Sequence, residues 1–156
     1  MADPKVAISL TIQHEGGFED NPDDPGGATN MGVTQRDLPN INIRDLTVFQ
    51  ATNYYIQSYW KPLYSQIANQ SVANKIFDFG VLFGIGTAVK ILQEVLKIGA
   101  DGMFGEETLA AVNEADPVSL LLAYRTNFVQ HALAIGTVRP TERQFVSGWI
   151  RRINGD

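Results

Sequence analysis

Apolar side chains along this chain recur at steps of three and four residues. Val72, Ile76, Phe79 and Phe83 form one such series, and Ile85, Val89, Leu92 and Leu96 form another. That spacing puts each set on one side of an α-helix, and no long run alternates with the period of two that a half-buried strand requires. The chain is therefore expected to be mainly α, with room for a small β-hairpin in residues 18–36. Glycine and proline gather in Gly16–Gly32 and Gly99–Gly105, which read as ordered loops between helices. Residues 4–15 follow Asp3-Pro4, a capping residue and a first-turn proline, with Ile8, Leu10 and Ile12 apolar and Gln13 and His14 polar. Asp45 is placed to cap a helix running to Tyr59, which Pro62 stops, and Ser71 to cap the next. A short helix covers 106–113. A long one starts at Pro117 with Leu121, Tyr124, Phe128 and Ala132 on one side, and the last carries Phe145, Trp149 and Ile153.

Composition removes whole classes of chemistry. None of the 156 residues is cysteine, which excludes a disulfide framework, a thiolate metal site and a cysteine nucleophile. His14 and His131 are the only histidines, too few for a multi-histidine metal centre, so neither metal nor cofactor is expected. The formal net charge of −5 is the opposite of what a nucleic-acid-coating protein carries. Residues 6–12 are apolar but too short to span a membrane, and Asp3 sits where an export signal wants positive charge. The expectation is a monomer made in the cytoplasm without a signal peptide and without stable membrane insertion.

The informative segment is HEGGFEDNPDDPGGATNMGVT, residues 14–34. Glu15 ends the first helix, where the macrodipole disfavours negative charge. Gly16 and Gly17 follow at once and remove side-chain bulk that would keep a large ligand away from the carboxyl group. Residues 15–24 hold five acids (Glu15, Glu19, Asp20, Asp23 and Asp24) and no base. Crowded carboxylates raise one another's pKa, and a protonated carboxyl is what a glycosidase uses as general acid. Asp24 and Thr29 stand after the turn, where a second polar group would hold water. Two plainer readings remain: an acidic surface turn built on Asn-Pro and Asp-Pro-Gly-Gly, and a calcium loop, although the D-x-D-x-D-G-x5-E pattern is missing.

The same stretch closely resembles the signature of glycoside hydrolase family 108, phage and prophage N-acetylmuramidases with a lysozyme-like, two-lobed helical fold. The resemblance continues through Asp45-Leu46-Thr47, Tyr55, Tyr59-Trp60-Lys61-Pro62 and Phe77-Asp78. Leu92-Gln93, Asp101-Gly102-Met103-Phe104-Gly105, Thr108-Leu109-Ala110-Ala111-Val112 and Gly148-Trp149-Ile150-Arg151-Arg152 look like the family's companion peptidoglycan-binding region. It implies a catalytic lobe over 1–86 and a peptidoglycan-binding helical lobe over 87–156, packed as one unit. It also implies a catalytic Glu15 and a turn through Asp24, Gly26, Gly27 and Thr29. The order Glu15, eight residues, Asp24, then Thr29 resembles T4-type phage lysozymes, which invert configuration; here four residues separate Asp24 from Thr29, one fewer than in that type. Thr34 stands where that type has a cleft residue. Leu82 replaces an asparagine that family members often carry, which removes one polar contact.

The expected activity is hydrolysis of the β-1,4 bond between N-acetylmuramic acid and N-acetylglucosamine. Glu15 protonates the leaving oxygen, and Asp24 with Thr29 directs water. Inversion requires carboxyl groups about 6.5–9.5 Å apart, and retention about 5–5.5 Å. Candidate substrate contacts are Gly16, Gly17, Thr34, the aromatic residues Tyr55, Tyr59 and Trp60, and Arg152. Aromatic residues at helical spacing also serve as core, and Asp78 in an apolar helix needs a partner if buried. Arg139, Arg143, Arg151 and Arg152 against Glu142 make the C-terminal end a local basic face suited to an anionic wall polymer, or simply a solvated helix face. The alternatives are a lytic transglycosylase on the same bond and a non-catalytic peptidoglycan-binding or secretion-helper protein. The lack of an export signal fits an endolysin that waits in the cytoplasm until a holin lets it reach the wall, and fits equally a toxin delivered by a secretion apparatus.

Overall fold

Seven α-helices and one two-stranded hairpin make up the regular structure among the described residues. The computed structural model describes residues 1–20 and 27–155. Helix α1 (Pro4–Glu15) starts where Asp3 Oδ1 accepts the Lys5 N–H at 2.8 Å, with proline in the first turn. Its buried stripe is Ala7, Ile8 and Thr11. Strands β1 (Thr29–Asn30) and β2 (Val33–Thr34) pair antiparallel, Thr29 opposite Thr34 and Asn30 opposite Val33. Met31 and Gly32 both have positive φ, +52° and +75°, the backbone that a two-residue hairpin needs to match strand twist. The expected hairpin is therefore present, and its left-handed turn falls on Met31-Gly32.

Helix α2 (Val48–Ser58) is capped by Thr47, whose side chain and that of Gln50 satisfy each other's backbone N–H groups. This corrects the cap expected at Asp45, which closes a preceding 3-10 turn, Ile43–Asp45, and accepts from Asn42 Nδ2. Helix α3 (Gln70–Phe83) is capped by Asn69 rather than Ser71, because Asn69 Oδ1 accepts the Val72 N–H at 3.1 Å. Buried residues surround most of α3, so it is the central helix, with α1, α4 and α6 packed on it. Gly84, at φ +90°, turns the chain into α4 (Ile85–Leu96).

Helix α5 (Glu106–Glu114) follows the Gly99–Gly105 loop, which buried Gln93 organises. Its Nε2 donates to Asp101 Oδ1 at 2.8 Å, and its Oε1 accepts the Gly102 N–H at 2.8 Å. Helix α6 (Pro117–Val138) buries Leu120, Tyr124, Phe128, Ala132 and Gly136, one position from the expected stripe at Leu121. Helix α7 (Val146–Asn154) anchors through fully buried Ile153, while Phe145 lies in the preceding 3-10 turn and is exposed. One continuous core joins Ile8, Tyr55, Phe77 and Phe79 to Leu92, Leu109, Phe128 and Ile153, so segments 1–86 and 87–156 share it. Among the described residues, no helix is long and apolar enough to cross a membrane.

Candidate active site

Charged side chains from three helices converge at the end of α1. Glu15 closes that helix, and Gly16 follows at φ +80°, in the left-handed region that favours glycine. A carboxylate at a helix C-terminus faces the negative end of the dipole, so a cation from elsewhere is its natural partner. Arg152 of α7 supplies it, with Nη1 donating to Glu15 Oε1 at 2.6 Å. The other edge of the guanidinium turns to α3. Nη2 donates to Asp78 Oδ1 at 2.9 Å, and Nε lies 3.3 Å from both Asp78 oxygens. Thr11, one turn before Glu15, donates its hydroxyl to Asp78 Oδ1 at 2.9 Å, and His14 Nδ1 stands 3.7 Å from the same oxygen.

Side-chain exposure rises from 6% at Asp78 through 13% at Arg152 to 21% at Glu15. The arrangement is a relay of position: buried Asp78 orients Arg152, and Arg152 orients the carboxylate that reaches solvent. Burial works against the Arg152 charge, but its bonds to Asp78, and then its pairing with Glu15, outweigh that and hold the guanidinium above its ordinary pKa.

The hairpin sets the other side of Glu15. A Cβ at Gly32 would overlap Tyr55 Oη and fall 2.7 Å from Glu15 Cγ and 2.8 Å from Oε2. Only a glycine lets the turn lie this close. With Oε1 engaged by Arg152, Oε2 is the carboxylate oxygen turned toward the hairpin. Tyr55 Oη donates to Met31 O at 3.0 Å and pins the turn to α2. Burial, and then the Glu15 charge, push the Tyr55 phenol far above its ordinary pKa, so it stays a donor. Buried Asn30 ties the hairpin to the Ile43–Asp45 turn through Nδ2, which donates to Ile43 O at 3.0 Å. The Arg44 guanidinium lies 4.2 Å over the Phe18 ring, closing the near side of the loop.

The expected site residues separate by place. Glu15, Gly16 and Gly17 lie together at the end of α1, and among the described residues a Cβ on either glycine would meet no atom within 4 Å. Thr29 is half-buried on β1, its backbone paired with Glu19 in both directions at 2.8 Å. Asp24 lies outside the described residues, as do Asp23 and Gly26. Thr34 is half-buried, and its hydroxyl donates to Asp37 Oδ2 at 2.8 Å. Tyr59 is half-buried beside Tyr54, ring centroids 6.2 Å apart.

Two expectations are corrected. Tyr55, 1% exposed, is core and hairpin anchor rather than a sugar platform. Trp60, 9% exposed, packs on Tyr64 and Phe77 and spends its indole N–H on Ser65 Oγ at 3.0 Å. Arg152 is held by Glu15 and Asp78, which gives it a positioning role whether or not it also meets substrate. Of the acids expected around Glu15, Glu19 and Asp20 are exposed, and Asp23 and Asp24 lie outside the described residues; Arg152 is the charged group in contact with Glu15 among the described residues. Gly32 was not singled out from the sequence as a site residue; the available signal was Asn-Met-Gly-Val, a turn dipeptide between two short β-prone pairs.

Comparison with known proteins follows this geometry. Residues 8–84 match the family description Glycosyl hydrolase 108, and residues 87–154 match Predicted Peptidoglycan domain. A solved structure titled "Structure of Brucella abortus SagA" is 30% identical, with a TM-score of 0.78 over 96% of this chain and 88% of that one. No curated protein matches. Arg152 lies within the second matched segment, and Glu15 and Asp78, which it bonds, lie within the first.

Proposed function

This chain belongs to the glycosyl hydrolase 108 family and is a glycoside hydrolase acting on peptidoglycan, and from that premise we propose that it cleaves the β-1,4 bond between N-acetylmuramic acid and N-acetylglucosamine with Glu15 as general acid. The observation that supports this most is the placement of Glu15. Its carboxylate closes the first helix, held through Oε1 by Arg152, with Oε2 turned toward the hairpin. An acid held through one oxygen keeps the fixed position that proton donation needs.

In this reading Glu15 gives its proton to the glycosidic oxygen as the bond to the anomeric carbon breaks. The ring becomes cation-like, and we assign the stabilisation of that charge to the Asp24 carboxylate. Water adds to the anomeric carbon and loses its proton to a base, a role we give to Asp24 with Thr29 positioning the water. The Arg152 bond retains Glu15 in place once it is ionised. The leaving sugar departs with a free hydroxyl.

The test is Glu15→Gln on purified sacculi, with mass spectrometry of the released sugars. Wild type should release products carrying one added water per bond, and Glu15→Gln should lose at least about a hundredfold, the lower range of what a positioned general acid contributes. Equal clearing by both proteins overturns the role of Glu15. Anhydro-muramyl ends identify a transglycosylase instead. As part of the same proposal the enzyme works as a phage-type endolysin, so cells expressing it should lyse only when a membrane pore is co-expressed.

A further inference from the structure

Helix α7 presents more than Arg152 to the site. Gly148, Trp149, Arg151 and Arg152 line a cavity of about 440 Å³ together with His14, Leu82 and Gly155. Arg152 therefore belongs both to the Glu15 pair and to this wall, so the cavity begins at the side chain that holds the acid. Past Leu82 and Trp149, which line both, a second hollow of about 550 Å³ continues along α6 to Arg139 and Glu142.

The lining has two characters. Trp149 is the large apolar side chain of the wall, its ring 5.5 Å from Phe83 and 6.2 Å from Phe145. Gly148 precedes Trp149 on α7 and lines the same cavity, and a Cβ there would meet no atom within 4 Å. The charged residues around the first cavity are Arg151 and Arg152, with no carboxylate among the described lining. Arg152 is committed to Asp78 and Glu15, whereas Arg151 is exposed. Both volumes fall in the range that holds a ligand of a few rings. An occupant must therefore offer a flat apolar face and an anion close to it. Of the two alternating wall sugars, only the muramyl unit bears a lactyl ether with a peptide whose carboxylates are free.

We propose that this cavity is a subsite for the muramyl unit and its stem peptide, with the sugar or lactyl face on Trp149 and a peptide carboxylate on Arg151. The inference rests on the reading of Glu15 as an acid acting on peptidoglycan and adds which chemical feature of that polymer is gripped beside it.

The test reads binding without turnover. Full-length Glu15→Gln protein is pelleted with peptide-bearing glycan strands and with the same strands stripped of peptide by an amidase, the lactyl carboxylates that this frees being capped as amides. It is compared with the double variants carrying Arg151→Lys, Arg151→Gln or Arg151→Glu. One exposed charge pair contributes about fivefold, equivalent to about 1 kcal/mol. Arg151→Gln should weaken binding to peptide-bearing strands by about that factor, Arg151→Glu by more, and Arg151→Lys should restore most of it. The loss should fade in about 1 M salt, where screening acts within about 3 Å. On stripped strands the losses should be clearly smaller. Equal losses on both substrates, or none on either, overturn the subsite. A wild type that releases no sugar while the Arg151 contrast persists instead overturns the proposed hydrolysis and leaves the subsite standing.

Discussion

Replacing Arg152 by methionine tests whether the Asp78–Arg152–Glu15 relay holds the site together. Methionine keeps an unbranched, flexible side chain of similar reach and removes the charge. Asp78 would then lose the bidentate partner that approaches at 2.9–3.3 Å and keep only Thr11 and the more distant His14. Its side chain is 6% exposed, so solvent cannot replace the lost donors. Removing one partner of a buried ion pair costs about 3–5 kcal/mol. For a chain of this length each kcal/mol moves Tm by about 2–4 °C, so Arg152→Met should melt roughly 6–20 °C lower. The Glu15 contact adds less, because that carboxylate already reaches water.

The discriminating variant is Arg152→Met with Asp78→Asn, which removes the stranded charge. Urea denaturation should show the double variant destabilised by less than the sum of the singles, with a coupling of about 1–3 kcal/mol. Activity should not recover alongside stability, because Glu15 still lacks its holder. Additive costs, or a loss below about 1 kcal/mol for Arg152→Met, would refute the relay.

Gly32→Ala places a methyl into Tyr55 Oη and Glu15 at a left-handed φ, so it should cost about 1–3 kcal/mol by thermal melt and reduce wall clearing more than stability alone explains. Gly16→Ala should cost about 1 kcal/mol through its φ of +80°, while Gly17→Ala, with open space and no positive φ, should be within about 0.5 kcal/mol of wild type by the same measurement. Trp60→Ala should destabilise by about 3–5 kcal/mol as a core truncation and leave KM for glycan strands unchanged, whereas a raised KM would return Trp60 to the substrate. Burial holds the His131 imidazole below its ordinary pKa, so the unfolded chain binds more protons there. Its contribution is present above about pH 6.5 and lost as pH falls through the lower folded value, so His131→Gln should lose less stability than wild type between pH 7 and 5.

Local chemistry was the legible part of this protein. Steps of three and four residues, Asp3-Pro4, Pro117 and the glycine-rich breaks marked most helices, because a helix is written by neighbours within one or two turns. Caps were less secure. Thr47 and Asn69 won over Asp45 and Ser71 because the entering backbone, not residue type alone, decides which oxygen reaches an N–H. Glu15 stood out for a local reason as well, an acid at a helix end followed by two glycines. What surrounds it was decided only by tertiary packing. Arg152 is 137 residues away in sequence, and no periodicity connects it to Glu15. Tyr55 and Tyr59 sit one turn apart on the same stretch, yet one is core and the other half-buried, since burial depends on what packs against each ring. The sequence alone placed an acid at the end of a helix. Three helices and a hairpin closing on it determined which oxygen is held by Arg152 and which lies against the hairpin, because ion pairs and close backbone approach are properties of distance in space rather than along the chain.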